Sequence, residues 1–144
     1  MQREVVTLEA SDHLDLADDI MRLGRIRHMP ILAGNRVVGI LSQRDLFRAG
    51  ISSVLRFRAD VEREWLGKIA VREVMTTHVF TIAPTAPIAE AVGVMLAKRI
   101  GCLAVVDDER LVGVLGESDC MRYLGRLLEI AEVKNTLPEL PEAQ

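Results

Sequence analysis

Aromatic residues are scarce in this chain, which has one Trp, one Tyr and three Phe among its 144 residues. A core without aromatic bulk has to be built from aliphatic side chains, and the 49% hydrophobic content supplies them. Cores of this kind are common in α/β proteins, in which β-branched strands pack beneath Leu- and Met-bearing helices. The 27% of charged residues beside this apolar content indicates a globular chain and excludes a disordered one.

Cysteine is also scarce, and the chain has neither an excess of basic residues nor long apolar runs. Two Cys residues are too few for a disulfide scaffold, and a formal net charge of −3 provides no basic face for nucleic acid. No apolar stretch reaches membrane-spanning length, and residues 1–20 carry acidic side chains where a signal peptide would carry its apolar core. We therefore expect a soluble, cytoplasmic protein with neither a nucleic-acid partner nor a membrane partner.

Catalytic motifs are absent as well. The sequence has no Walker loop, no G-x-G-x-x-G, no H-E-x-x-H and no G-x-S-x-G in a suitable context. The three histidines, His13, His28 and His78, are dispersed, and no Cys/His spacing matches a structural zinc site. The sequence predicts no enzyme, no metal site and no required cofactor.

The most informative feature that is present is an internal duplication. Thr7 and Thr81 lie 74 positions apart, and the same offset aligns residues 7–48 with 81–122 without a gap. Eleven of these 42 aligned positions are identical, and several of the others are conservative pairs such as Leu14 and Ile88. Two homologous halves of a chain this short are each marginal alone and are expected to pack together.

Each copy predicts the element order β-α-β-β-α. Short apolar runs indicate three strands, and apolar residues at three- and four-residue spacing indicate two helices. Ser11 and Thr85 are predicted to cap the first helix of each copy, while the second helix begins near Asp45 or Asp119. The predicted hairpin turns are Gly34-Asn35 and Asp107-Asp108.

The chain is therefore predicted to have four parts. These are a first repeat at 1–51, a connecting helical segment and lead-in at 52–75, a second repeat at 76–131 and a Pro-containing tail at 132–144. We expect an α/β (α+β) fold in which the two β-α-β-β-α repeats pack through their sheets with pseudo-twofold symmetry. Such packing leaves two equivalent clefts between the repeats, where small ligands usually bind.

A short motif recurs where the last strand of each copy meets its last helix. Gly39–Asp45 and Gly113–Asp119 both place an Asp in the first turn of a helix, where backbone N–H groups favour an anion and a carboxylate can accept from ribose hydroxyls. Helix capping is the alternative, because Ser42-x-x-Asp45 also has the form of a capping box. The second copy keeps Asp119 but has Gly116 in place of the capping Ser, so reciprocal capping is not what the copies share. This favours a ligand role.

The pattern G-h-h-[ST]-x-x-D after a β-α-β-β unit, present twice, resembles the CBS domain family, named for cystathionine β-synthase. The intervening Val71–Thr76 resembles the lead-in that opens many CBS repeats, and the likeness covers about residues 1–130. The resemblance implies a tandem, disc-like module of the Bateman type that binds adenosine-containing ligands in its two clefts. In such modules the motif Asp holds the ribose and the motif Ser or Thr lies near phosphate.

The resemblance implies two sets of site residues. Cleft one is expected to comprise Ser42, Arg44, Asp45, Phe80, Ile100, Gly101 and Cys102. Cleft two is expected to comprise Val6, Ile26, Arg27, His28, Met29, Ser118 and Asp119. Arg25 and Arg99 are candidate phosphate partners, although an Arg at a helix end is favourable without any ligand. Because Gly116 removes the usual hydroxyl from cleft two, cleft one is the better nucleotide candidate.

We therefore expect a regulatory sensor that binds AMP, ADP, ATP or S-adenosylmethionine as a regulatory ligand and signals by a change of conformation or assembly. A homodimer through the amphipathic helices is predicted from the apolar positions Met21, Leu23, Val94, Met95, Leu124, Leu127 and Leu128. An effector protein would then read the ligand-bound state. The alternative is a ligand-free interaction and dimerisation scaffold, in which both aspartates merely cap helices.

Overall fold

The computed structural model describes residues 1, 3–51 and 59–133. The first repeat contains β1 (Leu8–Glu9), α1 (Leu14–Gly24), β2 (His28–Ala33), β3 (Arg36–Ser42) and α2 (Gln43–Ile51). A connecting region follows with α3 (Ala59–Leu66) and a short 3₁₀ helix (Val71–Glu73). The second repeat contains β4 (Thr81–Ile82), α4 (Ile88–Lys98), β5 (Cys102–Asp107), β6 (Arg110–Gly116) and α5 (Glu117–Val133). The predicted order β-α-β-β-α is confirmed in both copies.

Each repeat has a three-stranded sheet in which the middle strand of the chain order is also the middle strand of the sheet. β1 lies parallel to β2 and β3 lies antiparallel to it, and β4, β5 and β6 repeat this arrangement. The register is also repeated, because Leu8 pairs with Ile31 in one sheet and Ile82 pairs with Val105 in the other. Parallel pairing of the first two strands follows from the helix that connects them.

Two details of the turns and caps differ from the sequence prediction. The second hairpin turns at Asp108 and Glu109, both with positive φ, because Asp107 still pairs with Arg110. Ser11 and Thr85 do not cap the first helices, which begin after His13 and Pro87 without a side-chain cap. At α1 the Leu14 N–H instead donates to the carbonyl of Ile69 at 3.0 Å.

Both first helices end in the same unusual way. Arg25 and Arg99 occupy the left-handed region, with φ of 52° and 54°, and stop the helix where Gly or Asn is more common. The following residues, Ile26 and Ile100, donate back to the carbonyls of Met21 and Met95. The chain is thereby turned into β2 or β5 at the place where the two repeats meet.

The core forms two aliphatic clusters, one under each sheet. The first includes the fully buried Leu14, Ile31 and Leu41, and it also takes in Leu66 and Val71 from the connecting region. The second is smaller and is built around Ala91, Met95, Leu103, Val105 and Leu115. The connecting region therefore belongs structurally to the first repeat.

The two repeats meet through their sheets, with β3 in contact with β6. The lead-in to the second repeat also pairs with β3, because Ile40 and Thr76 exchange two backbone hydrogen bonds of 2.9 Å. Met75 packs directly over Gly39, where a Cβ atom would meet its sulfur. Gly39 thus allows the second repeat to approach the first sheet closely.

The connecting region predicted at 52–75 contains α3 and the 3₁₀ helix, while 52–58 and the predicted tail residues 134–144 lie outside the described part of the chain. α5 continues to Val133. Within the ranges that are described, no helix is both long enough and apolar enough to cross a membrane.

Candidate functional site

The starts of α2 and α5 lie beside the loops that lead into β2 and β5. The N–H of Gln43, the first residue of α2, donates to the Arg27 carbonyl at 2.9 Å. The N–H of Glu117, the first residue of α5, donates to the Gly101 carbonyl at 3.0 Å. The duplicated motif is therefore anchored in the same way in both repeats, with each helix N-terminus at the seam.

Asp45 takes part in a complete capping box. Its Oδ2 accepts hydrogen bonds from the Ser42 backbone N–H at 2.8 Å and from the Ser42 hydroxyl at 2.6 Å, while the Asp45 N–H donates to Ser42 Oγ at 3.2 Å. These contacts use Oδ2 and not Oδ1. The carboxylate thus stabilises the start of α2 whether or not a ligand is bound.

Asp119 repeats only half of that arrangement. Its Oδ2 accepts from the Gly116 N–H at 3.0 Å, and its Oδ1 pairs with Arg122 at 3.1 Å. The reciprocal box is confined to the first repeat, but the bond from a strand-end N–H to the carboxylate is common to both. Capping therefore accounts for an Asp at both positions, which weakens the sequence argument that the second copy points to a ligand.

One side chain crosses the seam between the repeats. Arg27 Nη2 donates to Ser118 Oγ, in the first turn of α5, at 2.6 Å. The duplicated counterparts of Arg27 and Ser118 are Gly101 and Arg44, so the equivalent pair of positions holds a glycine and an arginine. Arg27 therefore reaches across the seam, whereas Gly101 has no side chain with which to do so.

A cavity of about 660 Å³ lies at the seam. Both repeats and the connecting helix line it, with residues Asp18, Arg27, His28, Ser42, Gln43, Arg44, Leu46, Phe47, Glu62, Leu66, Arg99, Gly101 and Glu117. Its wall combines three arginines, three carboxylates and an apolar side formed by Leu46, Phe47 and Leu66. This volume lies within the range of small-molecule sites. We call it the seam cavity.

His28 lies at the centre of the seam and packs against Gly101. A Cβ atom at Gly101 would lie 3.1 Å from His28 Cε1 and 3.3 Å from Nε2, so the imidazole occupies the space that a side chain would need. Burial lowers the pKa of His28, and Arg27 lowers it further, against the opposing effect of Glu117 and Asp45. The seam cavity therefore presents a neutral imidazole at pH 7.

The residues predicted for cleft one are only partly brought together. Ser42, Arg44 and Gly101 line the seam cavity, whereas the half-buried Asp45 is not among its lining residues and lies behind Ser42. Phe80 and Ile100 pack against the second core cluster instead. Phe80 also makes an edge contact with His78 at 4.6 Å between ring centroids and lies 5.6 Å from Lys98 Nζ.

Cys102 is buried beside the seam and not in the cavity wall. Burial raises the pKa of its thiol to about 11, and Glu117 adds to this. The side chain therefore behaves as a small apolar group with an inert thiol.

The residues predicted for cleft two are separated. Arg27 and His28 line the seam cavity, on the side assigned by sequence to cleft one. Met29 is fully buried in the first core cluster, Ile26 is half-buried, and the exposed Val6 is not a lining residue of the seam cavity. Of the two candidate phosphate partners, Arg99 lines the cavity and Arg25 does not.

Sequence reasoning missed the apolar side of the cavity and its acidic residues. Phe47 is 60% exposed, and its counterpart Met121 is 65% exposed. The available signal was a large apolar residue at the same position of α2 and α5. This position is exposed in both repeats and therefore belongs to the core of neither. The contributions of Glu62 and Leu66 had no such signal, because α3 has no counterpart in the duplication. Across the described residues, no group of His, Cys, Asp and Glu is arranged to hold a metal ion.

Comparisons with known proteins agree with this architecture. A family model for the CBS domain matches residues 1–52 and 71–126. A solved structure from Vibrio cholerae, provisionally named as an acetoin utilization protein, is 35% identical with a TM-score of 0.75, and the match covers 98% of this chain and 94% of that one. The CBS domain pair of protein MJ0100, solved in complex with 5′-methylthioadenosine and S-adenosyl-L-methionine, is 25% identical with a TM-score of 0.73, covering 86% of this chain and 94% of that one.

An uncharacterized protein of Methanocaldococcus jannaschii is 32% identical over 129 residues, which is 85% of this chain but 46% of that protein. The chain thus spans less than half the length of this relative. Two matched segments, each with the same β-α-β-β-α order, account for most of the sequence. The chain belongs to the CBS domain family and consists of a tandem pair of CBS domains.

Proposed function

We propose that this CBS pair is a regulatory module, and not an enzyme, that binds one adenosine-containing ligand in the seam cavity. The observation that carries the proposal is the cavity itself, because both repeats supply its wall and the start of α2 opens onto it. A ligand held there would favour one arrangement of the repeats over another by its difference in affinity for the two. An effector protein or a second copy would read that arrangement.

The polar side of the cavity suits a phosphate or carboxylate. Ser42 and Arg44 lie at the N-terminus of α2, where the Arg44 guanidinium and the helix dipole favour an anion. Arg99 approaches from the second repeat, and guanidinium groups bind such oxyanions with directed hydrogen bonds. We infer that the anionic part of the ligand lies between these groups.

The apolar side suits a flat base. Phe47 and Leu66 face the cavity from α2 and α3, so an adenine ring could be packed by them and not by Phe80 as the sequence suggested. The relative solved with methylthioadenosine and S-adenosylmethionine supports an adenosine compound as the class of ligand. AMP, ADP, ATP and S-adenosylmethionine are the members to test.

Isothermal titration with these four compounds tests the proposal. One compound is expected to bind with one site per chain, and at 100-fold above its dissociation constant it should stabilise the fold by about 2.7 kcal/mol. Arg44→Ala removes a cavity charge and is expected to weaken binding about tenfold or more. Arg126→Ala, on the exposed part of α5, is the matched control. Absence of binding by all four compounds would contradict the proposal, as would equal loss in both variants.

We also propose that two copies associate through an apolar face of α5. The side chains of Met121, Tyr123, Leu124, Leu127, Leu128 and Ile130 are between 37% and 65% exposed and recur at three- and four-residue spacing. Met21 and Met95, predicted from sequence as part of the interface, are buried in the two cores instead and are not available for it. Contiguous apolar surface of this kind commonly marks an interface.

Light scattering coupled to size exclusion tests the dimer. Leu124→Glu combined with Leu127→Glu is expected to convert a dimer of 32 kDa, twice the 16.0 kDa chain, into a monomer. Leu96→Glu changes a 74% exposed leucine on α4 and serves as the control for adding a charge. A wild-type chain that is monomeric at micromolar concentration would refute the association.

A further inference from the structure

Arg27 touches the starts of both motif helices. Its carbonyl accepts a hydrogen bond from the N–H of Gln43 at 2.9 Å, and its guanidinium donates to Ser118 at 2.6 Å. α2 belongs to the first repeat and α5 to the second. The backbone of this residue is therefore fixed by its own repeat, while its side chain is fixed by the other.

Arg27 also lines the seam cavity, and its guanidinium is bonded to Ser118. A guanidinium carries five N–H donors, and the contact with Ser118 uses one of them. An arginine that is already held at a cavity wall loses less conformational entropy when an anion binds than one that is free to rotate. Ser118 itself is not among the cavity-lining residues.

The duplication does not repeat this contact between Arg27 and Ser118. The counterpart of Arg27 is Gly101, which has no side chain to reach across the seam, and the counterpart of Ser118 is Arg44. Arg27 is therefore held from the opposite repeat by a contact that the duplicated positions do not repeat, and it lines the seam cavity.

We propose that Ser118 is a positioning residue: by holding the Arg27 guanidinium at the wall of the seam cavity, it gives the cavity its preference for a ligand with an anionic group over the uncharged nucleoside. This inference rests on the proposed function, since it concerns the ligand of the same cavity. It changes the role of Ser118, which the sequence assigned to direct contact in cleft two. The residue acts on a ligand that it does not touch.

Titration of AMP and adenosine into wild-type protein, Ser118→Ala and Ser118→Thr tests the inference. In Ser118→Ala the ratio of AMP affinity to adenosine affinity is expected to fall about three- to tenfold, the effect of one lost hydrogen bond. Ser118→Thr keeps the hydroxyl and is expected to restore the ratio. Arg27→Ala should lower the ratio further, and adding Ser118→Ala to it should then change nothing more.

The outcomes distinguish the positioning role of Ser118 from the proposed function. A Ser118→Ala variant with the wild-type ratio, or one that binds AMP more tightly because Arg27 has been released, would overturn the positioning role and leave the proposed function standing. Failure of Ser118→Thr to restore the ratio would also overturn it. Wild-type protein that binds none of the adenosine compounds would refute the proposed function, and the inference with it.

Discussion

Replacing Asp45 by Ala separates the two roles open to this carboxylate, capping α2 and holding the ligand. The substitution removes both hydrogen bonds that Oδ2 accepts from Ser42, at 2.8 Å and 2.6 Å. Asp119→Ala is the matched control, because it removes one such bond, from Gly116, and an exposed pair with Arg122.

The expected loss of stability follows from these bonds. Hydrogen bonds to a charged group contribute about 1.5–3 kcal/mol when well shielded and less when half-exposed, so we expect about 2 kcal/mol for Asp45→Ala. The control loses a single half-exposed backbone contact, and an exposed ion pair adds little, so about 1 kcal/mol is expected. Urea denaturation of the ligand-free variants measures both values.

Ligand affinity is a second measurement that is independent of the stability of the variants. If Asp45 gives up the Ser42 hydroxyl and accepts from the ribose instead, Asp45→Ala should raise the dissociation constant about 10- to 100-fold, and Asp119→Ala should leave it unchanged. An Asp45→Ala variant that is destabilised but binds with wild-type affinity would refute the ribose contact and leave the aspartate as a cap. An equal loss of affinity in Asp119→Ala would show that the effect reaches the ligand through the seam as a whole.

Two further predictions concern the seam. Gly39→Ala would place a Cβ atom 2.4 Å from the Met75 sulfur and 3.2 Å from the Thr76 carbonyl oxygen, so it should cost about 1–3 kcal/mol in thermal or urea unfolding. Gly93→Ala, in an open position on α4, should gain up to about 1 kcal/mol of stability. A similar loss of stability in Gly39→Ala and Gly93→Ala would contradict the packing argument. Burial lowers the pKa of His28 below its ordinary value of 6.5, so its contribution to stability is complete above that pH and is lost as the pH falls through the depressed pKa. His28→Gln should therefore flatten the decline of unfolding free energy below pH 6.5, with exposed His13→Gln as the control, and an unchanged slope would refute it.

The fold could be predicted because the same strand and helix pattern occurs twice in the sequence. Two copies of one pattern predict the same order of strands and helices, so each copy supports the assignment made in the other. The caps were predicted wrongly because a tertiary partner replaced a local one: Ile69 satisfies Leu14, and no side chain is needed. Contacts of this kind come from distant parts of the chain and leave no mark in the local sequence.

The site was less predictable, because it depends on where the duplication is broken. Phe80 and Ile100 are apolar and lie near the motif, but they complete the second core, whose small aliphatic residues need them. Arg27 and His28 were predicted for cleft two, yet they line the same cavity as Ser42 and Arg44, because either side of the seam is within reach of an arginine or a histidine. The hydrogen bond from Arg27 to Ser118 has no counterpart in the duplication, so the repeated pattern could not predict it.

The contacts of Leu66, Val71 and Met75 with the first repeat bear on how the chain folds during synthesis. The isolated backbone pairing at Ile40 and the last parts of the first core come from residues up to Thr76, about half the chain. A nascent chain that has left the ribosome only as far as α2 would still expose the apolar side chains these residues cover. Folding of the first half is therefore expected to wait until the lead-in of the second has emerged.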